Sequence, residues 1–355
     1  MCKQQIGKGS IFVSGADGDK GVAIVQQLLQ LPAQHKHLCS QHVYAGLPDA
    51  TTPRARSIKG LGAQVIAFDI FNDHEAAVKA LTGITKLCLL IDPLSERMQR
   101  SNAYTYGKAF IDAAKEAHVE HIIFLTPFTP LDAVSQPASP SNEQPTATAA
   151  PTSISYGSYR SQFMLIESYL HSQFDNSRIT ILRYPGVLHQ HLLVLSKYIA
   201  QHNAFPLPDK HLEITVESCN MSDIARATAC VAHSPTLRHS RNAYKISSSL
   251  LTLEEMGQRV LSGLQRENII NRMDSATLQQ IICDSVGNED QAIFLMEMWG
   301  LQQKLSGRRL EITRDLEALT GQSGKSLNEY FEEDEVRNAF LSNHKNGELS
   351  SFKVA

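Results

Sequence analysis

The chain has 355 residues, 42% of them hydrophobic and 19% charged, with a formal net charge of −3. That length suits one large α/β domain or a domain with a smaller cap, and the apolar content is enough for a substantial core. The small negative charge excludes a global attraction to nucleic acid or to an anionic membrane.

Ile11-Phe12-Val13 reads as a buried strand, followed by glycines at Gly15, Gly18 and Gly21 in a G-x-x-G-x-x-G turn. A helix pattern over residues 21–31 comes next. Strand, glycine turn and helix in this order suit a dinucleotide-phosphate site. Gly15 permits the tight turn, Gly18 the approach of pyrophosphate to backbone, and Gly21 the close packing of helix on strand. An ordinary βα turn that happens to carry glycines is the plainer alternative.

Strands are expected over residues 42–46, 63–68, 86–91 and 121–125, with helices over 74–81 and 101–117. Near-continuous apolar strands separated by helices indicate a parallel sheet covered on both faces. Asp69, Asp92-Pro93 and Thr126-Pro127 fall at carboxyl ends of these strands, where ligands of such sheets sit. Residues 131–153 are rich in Pro, Ser, Thr, Ala and Gln and read as a mobile insertion, either tolerated or overhanging the site. Order is expected again from Tyr156. A helix over 159–172 carries Phe163, Leu165, Ile166, Tyr169 and Leu170 on its apolar side, and a strand over 179–182 ends in Arg183-Tyr184-Pro185-Gly186.

Farther on, helices are expected over 192–200 and 221–232, the second capped by Ser222 or Asp223, with strands over 212–216 and 243–247. From Leu253 the pattern is mostly helical. Thr252 and Glu255 form a capping box for residues 253–264. Helices over 275–286, 290–305 and 315–320 follow, and another starts at Ser326. Phe294, Met296, Met298 and Trp299 crowd one of these helices, as pocket lining or as plain core.

The six cysteines, Cys2, Cys39, Cys88, Cys219, Cys230 and Cys283, have no CxxC or paired metal spacing, and no metal site is expected. There is no signal-peptide pattern and no apolar run of membrane-spanning length, so an intracellular, reduced, soluble protein is the expectation.

The GxxGxxG turn, the Asp69 strand end, RYPG, the segment CNMSDIARA (219–227) and the late DLEALTG and SLNEYF occur in an order that resembles the NmrA-like family. This is a branch of the atypical short-chain dehydrogenase/reductase superfamily. The resemblance runs over roughly residues 10–332. It implies a Rossmann-type, doubly wound parallel sheet with a smaller, mostly helical C-terminal part. Residues 1–190 would form the NAD(P)-binding domain, and residues 191–340 a substrate or cap part with segments returning to the sheet. Residues 341–355 would be a tail.

By position, the resemblance sets Gly15, Ala16, Asp17, Gly18, Asp19, Lys20 and Gly21 around the pyrophosphate, and Asp69 and Ile70 near the adenine. It sets Ile91, Asp92 and Pro93 beside the nicotinamide-side ribose, Thr126 and Pro127 at the nicotinamide, and Pro185 and Gly186 against its ring. Residues 42–47 contain no acid to hold ribose hydroxyls. The arginine often found after this strand in NADP-preferring relatives is missing. Lys20, Arg54, Arg56 and Lys59, read as belonging to a flexible basic loop or its surroundings, tilt the balance to NADP over NAD.

Classical members of the superfamily use Tyr-x-x-x-Lys, in which the lysine lowers the tyrosine pKa. Many NmrA-like proteins keep only a lysine four residues before a helix glutamate. Aligning that glutamate with Glu167 puts Phe163 at the lysine position. Tyr159 falls at the tyrosine position and is the candidate catalytic acid, while Tyr156 and Arg160 form a degenerate Tyr-x-x-x-Arg. His189 or His191 is a possible polar contact in the cleft.

The expected function is an NAD(P)H-dependent oxidoreductase of a small carbonyl, quinone or related apolar compound. The alternative is a non-catalytic NAD(P) redox sensor controlling a partner protein. The expected location is cytoplasmic, or nuclear for a regulator, with no direct nucleic-acid or membrane binding.

Overall fold

A computed structural model describes residues 9–34, 41–95, 98–99, 101–128, 158–210, 215–305, 312–338 and 340, with backbone alone for 299–305. The strands are β1 (Ser10–Val13), β2 (His42–Leu47), β3 (Gln64–Ala67), β4 (Lys86–Leu89), β5 (His121–Thr126), β6 (Ile179–Arg183), β7 (Val187–Leu188), β8 (Phe205–Pro208), β9 (Thr215–Cys219), β10 (Ala243–Lys245), β11 (Ser249–Thr252) and β12 (Ile270–Met273). The helices are α1 (Asp19–Gln34), α2 (Pro53–Leu61), α3 (His74–Leu81), α4 (Ala103–Glu116), α5 (Tyr159–Gln173), α6 (Ser196–His202) and α7 (Met221–His233). After them come α8 (Thr236–His239), α9 (Leu253–Gly263), α10 (Ser275–Val286), α11 (Glu289–Leu305), α12 (Asp315–Thr320) and α13 (Leu327–Phe331).

Seven strands form one sheet in the order β10-β6-β5-β4-β1-β2-β3. Every pairing in it is parallel. Parallel strands with helices on both faces must be apolar on both sides, and β4 and β5 are buried along their whole length. One face packs against α1 and α7 through Ile24, Leu28, Ile224 and Val231. The other packs against α3, α4 and α5 through Leu81, Phe110, Ile111, Phe163 and Ile166. Chain order reverses between β1 and β4, so the crevice for a ligand opens beyond their carboxyl ends. This is the Rossmann-type α/β architecture that the sequence predicts, with a largely helical C-terminal part. Two smaller sheets, β11-β9-β7 and β12-β8, belong to that part.

Several local expectations are corrected. The basic stretch around Arg54, Arg56 and Lys59 is helix α2, not a flexible loop. Thr52 caps it by accepting from Ala55 N, Pro53 sits in its first turn, and Gly62 ends it at φ 105°. The cap of α7 is Asn220, which accepts from Ser222 N, rather than Ser222 or Asp223. The strand expected over 212–216 runs Thr215–Cys219, and residues 211–214 lie outside the described set. The helix expected over 192–200 is a 3-10 segment, His189–Leu195, that leads into α6. The 131–153 insertion, Tyr156 and the tail from Ser342 lie outside the described residues. Among the described residues no helix is long and apolar enough to cross a membrane.

Candidate dinucleotide groove

The ends of β1 and β4 are tied by one hydroxyl. Ser14 Oγ donates to Leu90 O and accepts from Leu90 N, both at 2.9 Å. The chain then turns at Gly15, whose φ of +60° lies in the left-handed region that favours glycine. Gly18 N donates to Gly15 O at 3.2 Å, and Val22 N to Gly18 O at 3.1 Å, which starts α1. A methyl at Gly21 would lie 2.3 Å from Gly15 O and 2.6 Å from Ala16 Cα. Gly21 therefore lets the helix lie against the turn. The first N–H groups of α1 have no intrahelical acceptor and point with the positive end of the helix dipole toward the crevice.

A cavity of about 640 Å³ begins at this turn, lined by Asp17, Gly18, Asp19, Lys20, Asp92 and Arg54. It continues between Leu94, Val194, Val286 and Leu295, an apolar end with His191 and Gln291 at its wall. A narrower slot shares Asp17, Pro48, Asp92 and Ser95 with it and runs under Phe68, Asp69, Ile70, Phe71, Tyr106 and Phe110. Its rings meet edge-on or tilted, Phe71 on Tyr106 at 5.8 Å and Phe68 on Phe110 at 5.9 Å, a surface suited to a flat heteroaromatic base. Asp69 closes its own turn, accepting from Phe71 N at 3.0 Å and from Asn72 Nδ2 at 2.8 Å.

The electrostatics of the turn are unusual. Lys20 Nζ pairs with Asp92 Oδ1 at 2.7 Å, both side chains almost fully buried. Arg54 pairs with Asp19 at 2.7 Å. Asp17 accepts from Ser95 Oγ at 3.1 Å. Burial pushes the carboxyls of Asp17 and Asp19 above their ordinary value, and the neighbouring Asp92 adds to the shift in each.

Of the predicted site residues, Gly15, Asp17, Gly18, Asp19, Lys20, Asp69, Ile70 and Asp92 line the groove together. Ala16 lies fully buried beneath the turn and Gly21 against it. Ile91, Pro93, Thr126, Pro127, Pro185 and Gly186 lie buried at the neighbouring strand ends and are not brought to the cavity wall. Gly186 faces Met298 of α11, whose sulfur would be 2.6 Å from an added Cβ. Glu167 holds this end in place with a bidentate ion pair to Arg183, at 3.0 and 2.5 Å, and Arg183 also donates to Phe128 O.

Tyr159 is fully buried, with its ring 5.3 Å from Phe294, and is not among the residues lining the groove. Glu297 of α11 accepts from the backbone N–H groups of Tyr159 and Arg160, capping α5 from outside. Phe163, at the family's lysine position, stacks on Phe124 and tilts against Phe128. It is core. Phe294 and Met298 are core as well, Met296 is half-buried against them, and the side chain of Trp299 lies outside the described set. Leu295 and Gln291 of the same helix face the cavity instead, residues that the Met-aromatic reading did not single out.

His189 is buried against Ser218 and Tyr330, so His191 is the histidine at the cleft. Burial holds both rings at a pKa of about 3, which keeps them neutral. A contact of the His191 ring with the Gly186 backbone partly offsets that effect of burial.

A parallel sheet reversed at β1/β4, a glycine turn opening a helix and an aromatic slot beside it define an NAD(P)-binding Rossmann-type fold. A model described as NmrA-like family matches residues 7–144, and over that stretch the chain is similar to that family. The NmrA-like family domain-containing oxidoreductase FrzB of a Cladobotryum species is 30% identical over 116 residues. That match spans 32% of this chain and 32% of the relative.

Solved structures extend the likeness to most of the chain. The NADPH-dependent quinone oxidoreductase of Escherichia coli complexed with NADPH has a TM-score of 0.66 at 19% identity, covering 90% of this chain and 98% of that one. Triphenylmethane reductase of Citrobacter sp. complexed with NADP(H) has 0.66 at 17%, over 90% and 98%. NmrA, a negative transcriptional regulator in complex with NAD, has 0.67 at 12%, over 96% and 99%. At these identities the likeness establishes the fold.

Proposed function

We propose that the protein binds NAD(P)(H) in this groove and reduces a small, conjugated apolar acceptor such as a quinone. The observation that carries the reading is the continuity of the cavity, from the glycine turn to the apolar walls of Leu94, Val194, Val286 and Leu295. The turn and the first N–H groups of α1 would hold the pyrophosphate, and the slot under Phe71 and Tyr106 the adenine. Arg54, on the first turn of α2, is the cation that would meet a 2′-phosphate, which supports NADP(H) over NAD(H).

When bound, reduced nicotinamide supplies the hydride. The protein's own residues exclude water from the apolar end and offer a neutral imidazole, His191, as a hydrogen-bond donor. A group that stays neutral down to about pH 3 is no proton donor at neutral pH. With Phe163 in the lysine position and Tyr159 sealed in the core, the described residues form no phenol–lysine acid at the two positions where classical members of the superfamily carry it. That favours acceptors whose reduced form delocalises its charge and takes a proton from solvent, over simple ketones. The relatives named for quinone and triphenylmethane reduction support this class.

The test is oxidation of NADPH and NADH against a panel of quinones, triaryl dyes and ketones, with calorimetric binding of all four nucleotides. Turnover of conjugated acceptors with NADPH preferred is the expected result. Tight binding without turnover of any acceptor favours the second reading, a non-catalytic NAD(P) sensor controlling a partner protein. The burial of Tyr159 and Phe163 is the observation on that side.

A further inference from the structure

In a dinucleotide turn the middle glycine is small so that phosphate can come close to the backbone. In this chain that space is already filled. A Cβ on Gly18 would meet Asp92 Oδ2 at 2.5 Å and Asp92 Cγ at 3.2 Å. Asp92 arrives from the end of β4, with Oδ1 accepting from Leu94 N at 3.1 Å and pairing with Lys20 at 2.7 Å. Lys20 is the second residue of α1, so the one buried cation of the turn is neutralised from within. The second cation of the groove, Arg54, is likewise held by a carboxylate of the turn, Asp19.

Resting on the dinucleotide reading, we propose that Asp92 is a built-in competitor for dinucleotide phosphate. Its carboxylate takes the close-approach face of Gly18 and the charge of Lys20 until phosphate exchanges with it. An incoming phosphate then meets three carboxylates in the wall of the cavity. Asp17 and Asp19 come from the turn and Asp92 from β4, against Lys20 of α1 and Arg54 of α2. Among the described residues, Tyr106 of α4, Tyr184 beyond β6 and His191 are the other titratable groups around Asp92. Burial raises the phenol pKa values further and keeps His191 neutral, so none of these three changes charge near neutral pH. Asp17 and Asp19, already pushed above their ordinary value by burial, are the groups that respond. Bringing phosphate beside them favours their protonated form, so binding takes up protons and tightens as pH falls.

The experiment is calorimetric titration with NADPH of the wild-type protein and of Asp92→Asn, at pH 6 and pH 8, with the wild type also run in two buffers of different ionisation enthalpy. Expected are wild-type affinity at least about five-fold higher at pH 6 than at pH 8, net proton uptake, and Asp92→Asn binding about ten-fold tighter than wild type at pH 8. The substitution leaves Lys20 buried without its counterion, so the free variant melts lower, and inorganic pyrophosphate raises its melting temperature far more than that of the wild type. Equal or weaker binding by Asp92→Asn overturns the proposal. If that variant fails to fold, wild-type binding without proton uptake overturns it equally. Absence of binding by any nucleotide to either protein at both pH values overturns the dinucleotide reading itself.

Discussion

Gly21→Ala is the perturbation that best probes how the groove is built. Its methyl would sit 2.3 Å from Gly15 O, 2.6 Å from Ala16 Cα and 2.9 Å from Gly15 C, where ordinary contact begins at 3.4 Å. All three obstacles are backbone, so no side-chain rotation relieves them. The turn must move from α1 by roughly 1 Å, an overpacking cost of about 1–3 kcal/mol. The same movement shifts Gly18 and the first N–H groups of α1, so nucleotide affinity falls about ten-fold or more. Gly60→Ala is the matched control. Gly60 is exposed inside α2 with nothing within 4 Å of an added methyl, so the change stabilises by about 0.5–1 kcal/mol and leaves binding alone. Denaturant midpoints and calorimetric titration of both variants read the result. A Gly21→Ala protein with wild-type midpoint and affinity would refute the packing argument.

Other consequences can be measured as directly. Glu167→Ala leaves Arg183 half-buried without its bidentate partner and should cost about 2–3 kcal/mol in denaturant melts, with Glu167→Gln intermediate; equal midpoints for all three proteins would contradict this. Tyr159→Phe should leave kcat and KM within about two-fold of wild type, because the phenol is not at the groove; a collapse of kcat alone would restore it as an acid. His121, His189 and His191 are each held by burial at about 3 against an ordinary 6.5, so their NMR ring signals should not titrate between pH 8 and pH 4. The unfolded chain binds these protons and the native state does not. Each ring's stabilisation is therefore full above pH 6.5 and falls toward pH 3 by up to about 1.4 kcal/mol per pH unit. Asp223, pushed up to about 6 by burial, opposes one of them between pH 6 and its ordinary 3.8.

Elements whose ends carry their own punctuation were legible in the chain. HEAAVKAL is helix α3 over the expected residues, with Asp73 accepting from Ala76 N. The Thr252–Glu255 capping box is present on α9. Helix α2 was obscured because it buries little more than Ala55 and Ile58, although Thr52, Pro53 and Gly62 mark its limits. Strand β8, FPLP, was hidden by prolines that supply no backbone donor, and among the described residues it pairs with β12 alone. At the site, the glycine turn and strand ends followed from local pattern. The Lys20–Asp92 pair and the seating of Met298 on Gly186 did not, because each joins segments far apart in sequence and leaves no periodic trace.

The seventh strand of the main sheet has a consequence for how the protein can be made and dissected. β10 pairs with β6 through Ala243–Ile181, Tyr244–Leu182 and Lys245–Arg183. A ribosome must therefore deliver residue 245 before β6 acquires its outer neighbour. Until then an apolar strand stands with one row of amides and carbonyls bare, a template for the wrong partner. A fragment cut at residue 190 would carry the glycine turn and six of the seven strands of the main sheet yet keep that open margin permanently, along with an α1 stripped of α7. Its fate in expression would be aggregation, so the nucleotide-binding half is better studied in the whole chain than alone.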